Sequence, residues 1–187
     1  MYNKFLPKFK VVEINNMAAL RMGHVIAQNA IDKENIRLEN KSGYKYLENG
    51  VIVGLGMDGK IANYDGKQAQ PMLVFTEELI AGPFYSLDQF AEEVRDNEDV
   101  YPRCLPLYLG DTFTTNNIEG YSEESTFKFQ DGAYGVNDKG LIVKVESDAA
   151  EAMFRGVACK LPAGQAAVEL QVINAKASVI KTVVAGE

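Results

Sequence analysis

The chain has 187 residues, 47% hydrophobic and 24% charged, with nine Tyr, nine Phe and no Trp. Such a composition suits one domain with an appended arm and excludes global disorder, and the lack of any run of about 18 apolar residues excludes a helical membrane span. The net charge of −7 is unevenly spread, with +3 on residues 1–31 and −10 on residues 32–187. Nucleic acid is therefore disfavoured as the main partner, because phosphate binding needs clustered Lys and Arg.

Residues 1–14 form a basic, apolar-rich lead in which Lys4, Lys8 and Lys10 alternate with Phe5, Leu6, Phe9, Val11, Val12 and Ile14. Pro7 disfavours helix here, so an extended arm is expected. Lys8 and Lys10 interrupt the apolar stretch that a signal peptide requires, which points to folding in a cytoplasm. Over residues 17–31 the sequence suggests a short helix or turn capped by Asn15 or Asn16. A strand around Val25 and Ile26 follows, because Gly23 weakens a helix. Residues 1–31 are taken as arm and lead-in, and residues 32–187 as one β-rich domain.

From residue 44 onward, short β-rich runs alternate with turn signals. Asn49-Gly50, Asp58-Gly59 and Asp65-Gly66 separate Tyr44–Glu48, Val51–Gly56 and Met57–Tyr64, and Pro71–Phe75 is a further apolar run. Residues 86–95 are predicted to be the one short helix. Ser86 fits the N-cap with Gln89 in capping-box register, and Leu87, Phe90, Ala91 and Val94 recur at helical spacing. Strands are then expected at Leu105–Leu109, Thr112–Thr115, Thr126–Phe129, Ala133–Val136, Leu141–Val145, Phe154–Cys159, Ala167–Ile173 and Ser178–Val184. Short strands with turns every 8–12 residues predict a mainly β fold, a small barrel or sandwich.

Residue types that carry chemistry are sparse. His24 is the sole histidine, and nothing beside it in the sequence supplies a nucleophile or a carboxylate. Cys104 and Cys159 are 55 residues apart and fit small buried hydrophobes. Counting from Asp58, the twelfth position is Ala69, where a calcium loop needs Glu, so both Asp-Gly pairs are expected to be plain turns. Glu77-Glu78, Glu92-Glu93 and Glu123-Glu124 are adjacent in sequence, which points each pair apart rather than into one dyad. Gly54 and Gly56 lack the third glycine of a dinucleotide fingerprint. No enzyme, cofactor or metal is expected. Gly110-Asp-Thr-Phe-Thr-Thr-Asn116 is the most distinctive string, a turn into a strand whose Thr-rich face suits a pairing edge.

Two strings, Glu48-Asn-Gly-Val-Ile-Val-Gly-Leu-Gly56 and Tyr101-Pro-Arg-Cys-Leu-Pro-Leu-Tyr-Leu-Gly-Asp-Thr-Phe-Thr-Thr-Asn116, together with the β-rich run to Lys144, carry a resemblance. Over roughly residues 40–145 the chain resembles the head decoration, or cement, proteins of tailed bacteriophages. The resemblance implies a compact β domain on the outer capsid that reinforces the shell. The major capsid protein would then be its partner, the virion its location, and copies of itself its neighbours on the lattice. In that setting Phe5, Leu6 and Phe9 are expected to fill grooves on a neighbour while Lys4, Lys8 and Lys10 pair with acidic groups. A minor tail or neck protein is one alternative. Another is a carbohydrate-binding module using Tyr121 and Tyr134, weakened by the absence of Trp.

Overall fold

The structure, a computed structural model, describes residues 10, 12–16, 29–41, 43–75, 91–122, 127–147, 149–161 and 164–181. These residues hold thirteen strands: β1 (Val12–Asn16), β2 (Glu39–Lys41), β3 (Tyr44–Glu48), β4 (Ile52–Leu55), β5 (Ile61–Asn63), β6 (Met72–Val74), β7 (Ala91–Val94), β8 (Cys104–Pro106), β9 (Thr112–Thr115), β10 (Gly132–Val136), β11 (Ile142–Val145), β12 (Phe154–Lys160) and β13 (Ala166–Val172). They form three antiparallel sheets. The largest runs β1-β9-β13-β12-β10-β11, the second β5-β4-β6-β8, and the third β2-β3-β7. The sheets do not close on themselves, so of the two expected architectures the fold is sandwich-like rather than a barrel.

The four-stranded sheet is the centre of the fold because its strands are apolar on both faces. Ile52, Leu73 and Leu105 lie in register across β4, β6 and β8. They join Phe113, Tyr134, Phe154, Val168 and Leu170 of the six-stranded sheet in one core. Side chains one residue away point to the other face, since a strand alternates with period two. There Val53, Met72, Val74 and Cys104 pack with Leu47 of β3, Val94 of β7 and Ile31, Ile36 and Val100 in a second core. This explains why the runs Val51–Val53 and Met72–Val74 read as unbroken hydrophobes rather than alternating ones. At the first core Phe113 and Phe154 meet edge to face, 5.7 Å between ring centroids, a geometry aromatic pairs favour. The turn between β10 and β11 closes down on the central sheet. Gly140 has φ of 73° and its carbonyl accepts the Ile52 N–H at 2.8 Å, and a Cβ there would lie 2.5 Å from the Ile52 carbonyl oxygen.

Several sequence expectations change. The predicted helix over 86–95 is strand where it is described: Ala91–Val94 pairs with β3, Val94 facing Lys45 and Glu93 facing Tyr46. Pairing with β3 satisfies the backbone and buries Val94 in the second core, which outweighs the local helical stripe. Residues 86–90 lie outside the described residues. Residues 127–129, expected as strand, are irregular, with Phe127 and Phe129 packed on the first core. The last expected strand shrinks to a single parallel bridge between Ile180 and Asn137, with 182–187 outside the described residues. Val12–Asn16, within the lead segment, is the outer strand beside β9. The expected arm over 1–9, and the helix and strand over 17–28, lie outside the described residues.

The doubly buried sheet sets a clear expectation. Leu73→Ala should cost about 2–5 kcal/mol in chemical denaturation, the range for a fully buried leucine, whereas Leu55→Ala, on the exposed end of β4, should change stability by less than about 0.5 kcal/mol.

Candidate functional site

A mixed-charge groove of about 430 Å³ lies where the β2–β3 hairpin faces the chain after β9. Arg37, Glu39, Lys41 and Glu48 form one wall, and residues 116–122 with Lys10 and Leu141 form the other. The hairpin wall follows from strand alternation. Glu39 faces Tyr46 and Lys41 faces Tyr44, and Glu48, two residues beyond Tyr46, points to the same side. Lys41 donates to the Glu48 carboxylate, whose side chain is only 4% exposed, and Arg37 pairs with Glu39 nearer to solvent.

The opposite wall is fixed by a seam of buried polar groups. Thr115 Oγ1 accepts the Asn117 N–H at 3.0 Å, and Asn117 Nδ2 donates to the Asn49 carbonyl at 2.7 Å. Gly50 makes this approach possible, because a Cβ there would sit 2.8 Å from Asn117 Cβ, and its φ of 90° suits glycine. The seam ties the six-stranded sheet to the turn between β3 and β4 with specific hydrogen bonds where apolar contact gives none.

Among the predicted interface residues, Lys10 is described. Its Nζ donates to the Tyr121 carbonyl at 2.6 Å and lies 4.5 Å from the centroid of the Tyr121 ring. Tyr121 is held in turn by Phe127 and Phe129, with centroids 6.0 and 4.8 Å away. Lys10 thus anchors the end of the lead segment to the body through a cation–π contact and a charged hydrogen bond. Lys4, Phe5, Leu6, Lys8 and Phe9 lie outside the described residues, as does His24.

Other sequence candidates resolve as follows. Asp58 Oδ1 accepts the Lys60 N–H at 3.1 Å and Asp65 Oδ1 the Lys67 N–H at 2.9 Å, so both Asp-Gly pairs are side-chain-capped turns. The Gly110–Asn116 string is a turn into a strand, with the Asp111 carboxylate accepting the Tyr108 N–H at 2.8 Å. Its strand is not a pairing edge, however, because β9 is flanked by β1 and β13. Tyr134 is buried and donates its hydroxyl to the Gln130 carbonyl, and Tyr121 is packed as above, so neither offers an open stacking platform for a sugar. Glu93 pairs with Arg95. Among the described residues no group of three or more His, Cys, Asp and Glu is placed to hold a metal ion. Burial pushes the Cys104 thiol up to about 12 and raises that of half-buried Cys159, which leaves both thiols protonated near neutral pH and poor nucleophiles.

The chain matches no protein-family model, no curated protein and no solved structure. The groove must therefore be judged by its own chemistry. It presents three cations, three carboxylates and two carboxamides, a set suited to recognising polar and charged surface.

The Lys41–Glu48 pair was missed from sequence, since a separation of seven residues hides a contact that exists only once the hairpin closes. Lys41→Ala should destabilise the fold by about 1–3 kcal/mol because Glu48 is left buried without its cation. The Lys41→Ala, Glu48→Ala double variant should cost less than the two single changes added together in a denaturation cycle. The cysteines give a second test. In the native protein at pH 8 iodoacetamide should leave Cys104 unmodified and label Cys159 slowly, and both should react in denaturant, as read by peptide mass spectrometry.

Proposed function

We propose that the chain is a non-enzymatic structural protein of a tailed-bacteriophage virion that binds and stabilises the outer capsid shell. Its partner in this role is the major capsid protein, and several copies act together on the lattice. Support comes first from the resemblance of the Glu48–Gly56 and Tyr101–Asn116 strings to decoration proteins. The β-rich body fits that role, and so does a groove of recognition chemistry rather than reactive groups.

The observation that carries most weight is the anchoring of Lys10. The basic lead segment, with Lys4, Phe5, Leu6, Lys8 and Phe9 as its gripping residues, joins the body at a fixed point. Lys10 is held on Tyr121, and β1 is hydrogen-bonded to β9 two residues later. Force on such an arm passes directly into the largest sheet. A charge of +3 on residues 1–31 against −10 on the rest also suits an acidic neighbour, to which opposite charge steers the lead segment.

Two truncations separate the arm from the fold. Removing residues 1–9 should leave the melting temperature unchanged while strongly reducing binding to capsids that lack the protein, measured as copies bound per capsomer. Removing residues 1–14 should also lower the melting temperature, because it takes Val12 out of the first core and most of β1 off β9. Equal capsid binding by the 1–9 truncation and the full chain would defeat the gripping role of the arm.

A further inference from the structure

We infer that the free edge of β11 receives residues 1–9 of a second copy of this chain as an added strand. This deepens the lattice role proposed above, and rests on it for the supply of neighbouring copies.

The edge is open at the level of backbone chemistry. In an antiparallel pair, opposed residues either bond each other or both turn away. Tyr134 turns toward β12, because its carbonyl accepts the Met153 N–H at 2.9 Å. Lys144, its partner on β11, therefore turns its N–H and C=O away from β10, outward from the sheet. One residue pair earlier the edge is already used as a template. Ile118 forms a parallel bridge with Ile142, and the Glu119 N–H donates to the Ile142 carbonyl at 2.9 Å, before the chain turns off at Gly120. β11 thus ends one short added strand and leaves the next backbone groups unmatched among the described residues.

Over the face of β10 and β11, reaching this edge, lies a groove of about 930 Å³ lined by Val143, Val145, Ile180, the carboxylates Glu119, Glu146 and Glu151, and Lys144 and Lys181. Residues 1–9 match it in kind. Phe5, Leu6 and Phe9 suit the apolar floor, and Lys4 and Lys8 suit the three carboxylates. Proline does not prevent such docking, since an added edge strand bonds on one side and Pro7 can place its missing N–H on the other.

The donor and acceptor lie at different places on the molecule. The lead segment joins the body at β1, the opposite outer strand of the sheet, roughly 24 Å from β11 at about 4.8 Å per strand. Nine extended residues reach about 30 Å. A contact from the β1 edge of one copy to the β11 edge of the next is heterologous, so copies joined this way form a ring where the rotation closes.

The test uses sedimentation of the full chain and two variants. Lys144→Pro removes an outward N–H without removing a ladder bond, and should leave the melting temperature unchanged. Val145→Asp, which places a charge on the groove floor, serves if the proline variant does not fold. The full chain should self-associate with concentration, more weakly at high salt. Lys144→Pro and the 1–9 truncation should each weaken this by on the order of tenfold or more. Mixing those two should give a one-to-one dimer that grows no further, since one supplies the arm and the other the edge. A full chain that stays monomeric at about millimolar concentration, or a mixture that forms no dimer, overturns the inference. So does protection of the arm from protease within a monomer, which would mean docking on its own edge. Capsid binding is read separately on particles with Lys144→Pro, which keeps residues 1–9, so loss of the decoration role and loss of arm exchange give different results.

Discussion

The burial of one small sheet on both faces is the constraint from which the rest of the structure follows. Strands of three or four residues cannot stabilise themselves, and β4, β5, β6 and β8 have no more than that. β4, β6 and β8 persist because successive residues place one side chain in the first core and the next in the second, while β5 adds Ile61 to the second core. Removing apolar area from water is worth about 25 cal/mol per Å², and β4, β6 and β8 gain it on both sides. The six-stranded sheet and the β2-β3-β7 sheet each need cover on one face, and the central sheet supplies it to both.

Where apolar packing ends, polar contacts set the alignment. The Asn117–Asn49 hydrogen bond and the close approach at Gly50 hold the end of β9 against the turn that enters β4. In the β2–β3 hairpin that leads into this turn, the Lys41 side chain reaches the Glu48 carboxylate, around which there is little water. A buried ion pair adds little net stability once desolvation is counted, though losing one partner is costly. Its worth here is positional, because it ties together the two strands that form the hairpin wall of the groove. The groove is thus a consequence of how two sheets are registered rather than of any one segment.

The two outer strands of the large sheet divide the surface into different roles. β1 follows Lys10, which is held on Tyr121, while β11 turns backbone groups of Lys144 outward that are unmatched among the described residues, next to a groove of mixed charge. Natural sheets usually blunt exposed edges with charge or short length. β11 is short and carries Lys144, which discourages indiscriminate pairing.

The β class of the fold, most strand positions and the Asp-Gly turns were legible in the sequence, because alternation, β-branching and Asx-Gly chemistry are local properties read over a few residues. The concentration of positive charge ahead of β1 was legible for the same reason. What the sequence could not decide depended on partners far away in the chain. Ala91–Val94 has the spacing of a helix and becomes a strand because β3 lies beside it. Thr112–Thr115 looks like an edge and becomes interior because β1 and β13 flank it. Phe127 and Phe129 alternate like a strand and instead stack on Tyr121. The Lys41–Glu48 pair, the Asn117 seam and the open side of Lys144 exist only after distant segments meet. Local chemistry chose the elements, and tertiary contact chose their neighbours, because which backbone groups and faces remain unpaired is a property of the assembled sheets and not of any single strand.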